Sequence, residues 1–342
     1  MAKRSVNIKD VAAAAGVHPS TVSRVLNPET RSMVSSAVAD RIVRIAGEMG
    51  YARSTLAYGL RTGRTHTVGV VIPDLTNPLF PPIIRQIEST LADKGYLAIL
   101  ADSDNDQSNE MAIVQSLKFR NVDGLILATA HRLDSVVNAC IDENIPLVLV
   151  NRTIDSHSVT AVINDDSHGI DLAVSHLVEL GHKSIAYLGG PQDTSTGHDR
   201  SLAFKKLKRK GKFKSHNDLI LNCKAFTEAE GYRGFLSILE KNREFTAVVA
   251  ANDLLALGCY DAMAERGLNC PTDISVTGFN DMPFMNRLSP PLTSLHIPHH
   301  EIGRQAAKLL LNRIQDPECQ VRTVNLLPEL IVRGSTAAPK TR

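Results

Sequence analysis

The chain has 342 residues, 43% of them hydrophobic and 22% charged, with a formal net charge of +2. That length fits two or three domains. No apolar run reaches the roughly 20 residues of a membrane span, and MAKRSVNIKD lacks the hydrophobic segment of a secretory signal. Five scattered cysteines (Cys140, Cys223, Cys259, Cys270 and Cys319) form no CxxC pair, so reduced thiols in a cytoplasm are expected rather than a disulfide framework or a zinc site.

The charge is unevenly placed. Residues 1–65 hold ten Lys/Arg against four Asp/Glu, a formal +6, so the other 277 residues carry −4. A basic end on a mildly acidic body is the asymmetry expected where one end meets a polyanion. The first fifty residues read as short helices. Asn7 is placed to cap a helix from Ile8 to Ala15, with Ile8, Val11, Ala12 and Ala15 on one face. Gly16 ends it, and Pro19 suits the first turn of the next helix. There Val22, Val25 and Leu26 face inward, which leaves Ser20, Thr21, Ser23 and Arg24 outside. A third helix starts near Ser35, with Val38, Ile42, Ile45 and Met49 as its stripe, and stops at Gly50. This is a helix-turn-helix plan. Small hydroxyls let a helix approach DNA closely, and one arginine is suited to a guanine edge in the major groove. A small polar helix face on some other three-helix domain has the same local pattern.

Residues 51–65, YARSTLAYGLRTGRT, are small and basic with little to build a core, and read as a linker. From Val68 the pattern becomes alternating βα units. Predicted strands are VGVVIPD, YLAIL, VDGLIL, IPLVLV, TAVIN, SIAYLGG, LIL, TAVVAA and ISVTGF. Predicted helices lie near 82–94, 109–119, 134–143, 168–180, 199–209, 227–239 and 253–265. Repeated βα units mean doubly wound parallel sheets, and about ten strands are too many for one, so two α/β lobes are expected. No GxGxxG follows the first strand, and no nucleophile elbow or P-loop is present, so neither a cofactor nor an enzyme activity is expected.

With these parts in place the chain resembles bacterial transcription regulators of the lactose/galactose repressor family. The resemblance runs from about residue 6 to 336. It rests on NIKDVAAAAGVHPSTVSRVLN, GYARSTLAYGLRTGRTHTVGVVIPDLTNPLF, HLVELGHKSIAYLGGP, VVAANDLLALGCYDAM, ISVTGFND, SPPLTSLHIP and LPELIVRGST. It implies an N-terminal all-α helix-turn-helix headpiece (1–50), a hinge helix and linker (51–65), and a two-lobed α/β core like periplasmic sugar-binding proteins, with parallel sheets. The lobes would be 66–163 with 298–326 and 164–297 with 327–338, the chain crossing between them near 163, 297 and 327.

The resemblance also implies a homodimer on a palindromic double-stranded operator, in the cytoplasm and without a membrane partner. The recognition helix would be Pro19–Asn27, with Pro19, Ser20 and Arg24 reading bases and Thr21 and Ser23 at phosphates; Asn7, His18 and Asn27 complete the DNA-facing set. His18 stands where relatives cap the helix with Ser or Thr. In the hinge, Leu60 corresponds to a leucine wedged into the minor groove, with Ala57 one turn earlier. Gly59 weakens that helix by about 1 kcal/mol against alanine. A small-molecule effector would lie between the lobes, touching Asn77, Phe80, Thr129, Asn151, Thr194, Thr196, Arg200, Phe226, Asn252 and Asn280. These residue types suit a sugar or sugar derivative: amides and hydroxyls for its hydroxyls, an arginine fork, and rings for an apolar face. A nucleoside or a protein corepressor is the alternative controller. Asn77 and Asn252 also fit as plain helix caps. Arg200, placed at a helix start against the macrodipole, is expected to need a compensating partner such as the ligand. His296, His299, His300 and Glu301 have metal-ligand spacing but fall on a lobe crossover, so no metal is expected. After VRGST only AAPKTR follows, with no heptads to build a tetramer.

Overall fold

The computed structural model describes residues 6–27, 30–51, 63–241 and 243–340. It divides into two compact units, residues 1–65 and 66–342. The predicted hinge positions Ala57 and Leu60 lie outside the described residues.

The first unit contains α1 (Ile8–Ala15), α2 (Pro19–Val25) and α3 (Ser36–Glu48), with a 3₁₀ turn at Arg31–Met33. Val11, Ala12, Ala15, Val22, Val25, Ala39, Ile42 and Ala46 form its core. The centre of α3 differs from the expected stripe. Ala39, Ile42 and Ala46 are buried, while Val38, Ile45 and Met49 pack around them partly exposed. Small alanines at the contact let three short helices approach closely without longer side chains between them.

The second unit holds two six-stranded sheets rather than ten strands in all. The strands are β1 (Thr67–Ile72), β2 (Leu97–Asp102), β3 (Gly124–Leu127), β4 (Leu147–Val150), β5 (Thr160–Asn164), β6 (Ile185–Gly189), β7 (Ile220–Asn222), β8 (Ala247–Ala250), β9 (Ser275–Asn280), β10 (Thr293–His296), β11 (Thr323–Leu326) and β12 (Glu329–Ile331). The first sheet runs β11-β5-β4-β3-β1-β2, every pairing parallel. The second runs β12-β10-β9-β8-β6-β7, parallel except where β12 pairs antiparallel with β10. The central strands are apolar and buried along their whole length, as layers covered on both faces require.

The helices are α4 (Phe80–Ala92), α5 (Gln107–Phe119), α6 (Ser135–Asp142), α7 (Asp166–Glu179), α8 (Ser195–Arg209), α9 (Glu228–Leu239), α10 (Asp253–Glu265) and α11 (His299–Gln315). The chain passes from one sheet to the other between β5 and β6, between β10 and β11, and between β11 and β12. α9 and α10 pack closely because both are glycine at the contact: a Cβ on Gly231 would lie 2.5 Å from the Leu255 carbonyl oxygen, and one on Gly258 2.2 Å from the Tyr232 nitrogen. The residues just before β12 and after it tie the second sheet shut. Ser335 is fully buried; its hydroxyl donates to the Val276 carbonyl and accepts from the Thr293 N–H, both at 2.7 Å.

Candidate functional site

In the headpiece, Asn7 Oδ1 accepts from the Lys9 and Asp10 N–H groups at 2.9 and 3.2 Å, and Asp10 accepts from the Asn7 N–H in return. This reciprocal cap fixes the start of α1. Gly16, at φ 62°, turns the chain out of it. His18 caps α2 with its ring. Nδ1 accepts from the Ser20 N–H at 3.2 Å and lies 2.8 Å from Ser20 Oγ. The imidazole does the work of a capping hydroxyl. Val22 and Val25 are buried; Ser20 and Arg24 are exposed, and Pro19, Thr21 and Ser23 partly so. The helix ends at Val25 with Leu26 as its C-cap, so Asn27 stands beyond α2 instead of on it, its carbonyl accepting from Thr30 and Arg31.

In the core, a cavity of about 190 Å³ opens where strands of both sheets end. Loops beyond the carboxyl ends of strands are where open α/β sheets hold ligands. Nine of the ten predicted positions line it: Asn77 and Phe80 after β1, Asn151 after β4, Thr194, Thr196 and Arg200 after β6, Phe226 after β7, Asn252 after β8 and Asn280 at the end of β9. Thr129 does not. Its hydroxyl donates to the buried carboxyl of Glu110, and its carbonyl accepts from Arg152 Nη1 at 3.3 Å. Burial pushes Glu110 up to about 7, against the lowering effect of that hydroxyl.

Besides Arg200, three of the nine side chains are also occupied by the backbone. Asn77 Oδ1 accepts from the Leu79 N–H, Asn252 Oδ1 caps α10 through the Leu255 N–H, and Thr194 Oγ1 donates to the Pro191 carbonyl while accepting from the Gly197 N–H. By contrast, Asn151 Oδ1 and Asn280 Oδ1 are buried without a hydrogen-bond partner. Both residues sit in the left-handed region, at φ 64° and 104°. Strained backbone and unmatched buried acceptors in two residues that line one cavity are features of a binding site. Phe226 reaches the cavity because residue 190 is glycine; a Cβ there would lie 2.2 Å from its ring.

Arg200 differs from expectation. Thr194 caps α8, so the helix starts at Ser195 and Arg200 lies in its second turn, not at its start. Its compensating partner is built in. Nε donates to Asp166 Oδ1 at 2.7 Å, Nη1 donates to the Ala251 carbonyl at 2.7 Å, and the guanidinium lies 3.7 Å from the Phe279 ring centroid. Burial raises Asp166 to about 6, with Arg200 opposing the rise.

The sequence reading missed Arg152, Asn105, His131, Asp193, Lys224 and Thr227, which also line the cavity. Arg152 is buried beside Asn151, and its strand-end position was the signal available. The two sheets' loops are pinned together next to the cavity. The Arg132 N–H donates to the Asp193 carbonyl at 2.8 Å, His131 Nδ1 lies 3.2 Å from Asp193 Oδ2, and the Thr153 N–H donates to Ser195 Oγ at 3.0 Å. His296 pairs with Asp281 at 3.2 Å, which raises its affinity for a proton. No group of three or more metal-capable side chains occurs among the described residues, and no helix there is long and apolar enough to cross a membrane.

Comparison with known proteins accounts for both units. Residues 7–54 match the model for bacterial regulatory proteins of the lacI family, and residues 174–336 the periplasmic binding protein-like domain. The HTH-type transcriptional repressor PurR of Vibrio atlanticus is 31% identical over 334 residues, 96% of this chain and 98% of that one. The ribose operon repressor of Escherichia coli is 30% identical over 336 residues, with 96% and 99% covered. Among solved structures, the Lac repressor dimer bound to operator and an anti-inducer superposes with a TM-score of 0.86 at 25% identity, covering 98% of this chain and all of that one. A regulator from Enterococcus faecium with bound ribose gives 0.69 at 32% identity, covering 80% of this chain and all of that one. The chain therefore belongs to the lacI family of bacterial regulatory proteins and is a DNA-binding transcriptional regulator, not an enzyme, with an effector-binding core.

Proposed function

We propose that this regulator is a repressor that grips a palindromic operator as a homodimer and answers to a small hydroxylated ligand held between its lobes. Residues 66–163 with 298–326 would form one lobe and 164–297 with 327–338 the other. In the headpiece Arg24 and Ser20 would read bases while Thr21 and Ser23 meet phosphates; Ala57 and Leu60 of the 51–65 segment would enter the minor groove. The ligand class is a sugar ring, free or as the ribose of a nucleoside. The observation that carries it is one cavity lined by Asn151 and Asn280, both held in the left-handed region, together with Phe80 and Phe226. Hydroxyl groups would donate to the amides, and the rings would cover an apolar sugar or base face. Relatives are solved with ribose and with cellobiose.

The test has two parts. Arg24→Ala should weaken operator binding by about 1–3 kcal/mol and relax the preference at one base pair in each half-site; an unchanged preference would remove Arg24 from base reading. A thermal-shift screen of pentoses, hexoses, disaccharides and nucleosides should find a compound that raises the melting temperature. That compound should change operator affinity by roughly 5–150-fold, and Asn151→Ala with Asn280→Ala should abolish both effects. Stabilisation with no change in operator affinity would sink the control mechanism.

A further inference from the structure

The strongest charge concentration outside the headpiece lies in the second sheet's unit, at the end of α8. FKKLKRKGKFK, residues 204–214, holds seven cations (Lys205, Lys206, Lys208, Arg209, Lys210, Lys212 and Lys214) and no acid. Without those seven, the rest of residues 66–342 would carry a formal −11 instead of −4. All but Lys208 are exposed. Lys212 pairs with Asp171 at 2.5 Å, and Lys208 bonds Asn217 Oδ1 at 2.6 Å. The other five form no ion pair among the described residues. A helix C-terminus favours cations only within its last turn. That accounts for Lys206, Lys208 and Arg209, but not for Lys205, or for Lys212 and Lys214 beyond the helix. Like charges at this density repel one another, so the fold gains nothing from collecting them.

We propose that this surface binds the phosphate backbone of double-stranded DNA without sequence preference, as a second DNA contact separate from the recognition helix. Lys205 and Arg209 are four apart on α8, as are Lys206 and the C-cap Lys210, so they form two neighbouring rows of cations. Six of the seven are lysines, flexible point charges that suit a backbone tracked without fixed geometry better than a bidentate site. The aromatics of the stretch are turned inward: Phe204 and Phe213 are buried with ring centroids 4.9 Å apart. No stacking platform is left there for unpaired bases, which selects the duplex over a single strand. A regulator seated on its operator would thereby hold a second DNA segment.

The experiment uses the full-length protein. An operator duplex is immobilised, loaded with protein and washed; a fluorescent duplex of random sequence is then added at about 50 mM salt. Six phosphate contacts make such binding fall by about a thousandfold by 200 mM. The wild type should capture the second duplex at low salt and release it as salt rises. The fourfold variant K205Q/K206Q/R209Q/K210Q should capture at least tenfold less, with unchanged operator affinity and melting temperature. Capture equal to wild type by that variant would place the contact in the headpieces and overturn the proposal. So would no capture by wild type, or retention of poly-glutamate with no retention of duplex, which would make the partner an acidic protein. If the fourfold variant melts early, K205Q/K210Q with K214Q gives the same reading on fewer helical positions.

Discussion

Two arginines reach the same cavity from opposite sheets, and their surroundings differ. Arg200, in the second half, has a carboxylate at 2.7 Å, a carbonyl at 2.7 Å and a ring beneath it. Arg152, in the first half, is buried with no carboxylate within 4 Å among the described residues; its Nη1 donates to Thr129 at 3.3 Å, and its Nε is unmatched. Burial pulls Arg152 down to about 10, opposed by the fields of Asp193 and Glu110. One arginine is a completed part of the fold and the other is an open demand for polar partners. A cation lining a site is therefore no guide to its role until its own partners are known.

Removing Arg200 breaks the comparison most severely. Arg200→Ala should cost about 3–5 kcal/mol of core stability, since it strands Asp166 without its cation. Without Arg200 to oppose the rise, the stranded carboxyl takes a proton above its wild-type value of about 6, so the loss should be smaller at pH 5 than at pH 8. Urea melts at pH 5 and 8 measure both; a pH-independent loss under about 1 kcal/mol would mean the ion pair does not support the fold.

Glu110, beside Arg152, gives an intermediate effect. Its folded-state proton affinity is raised, so the folded chain binds more protons than the unfolded one between about pH 4.5 and 7. Its contribution to stability therefore falls as pH rises through that window and stays low above it. Glu110→Gln keeps an acceptor for Thr129 and removes the titration. It should leave stability unchanged near pH 4.5 and raise it by about 2 kcal/mol at pH 8. Parallel pH profiles for wild type and variant would show that Glu110 is charged throughout.

The smallest change is expected at Arg152 itself. Arg152→Gln breaks no ion pair, so stability should move by less than about 1 kcal/mol in either direction, while ligand affinity changes. A loss as large as that of Arg200→Ala, read in the same urea melts, would erase the distinction between the two halves.

The features legible in the sequence were those carried by local pattern. Val22 and Val25 at helical spacing, and apolar runs such as Val68–Ile72, dictate where helices and buried strands form. The ten effector positions came with the family resemblance, and nine of them line the cavity at the strand ends. The misses have long-range causes. Thr129 follows a buried strand like the others, but its hydroxyl is claimed by Glu110, a residue from a helix formed earlier in the chain. The start of α8 was hidden by Ser195, Thr196 and Gly197, poor helix formers that Thr194 caps into place. The partner of Arg200 lies 34 residues away on α7. β11 and β12 are too short and too exposed to carry a periodic signal, and they exist because an edge of each sheet is there to receive them.

Those late strands bear on how the protein is made. β11 joins the edge of the first sheet beside β5, β12 joins the second beside β10, and Ser335 is sewn in between β9 and β10. A ribosome adds roughly 5–20 residues each second, and residues 6–51 emerge well before any of these pieces. The DNA-reading helices thus leave the ribosome while both halves of the sensor still lack an edge. Neither sheet has its full set of strands before residue 323 is made, so a nascent chain presents its reader seconds before it possesses a finished control element.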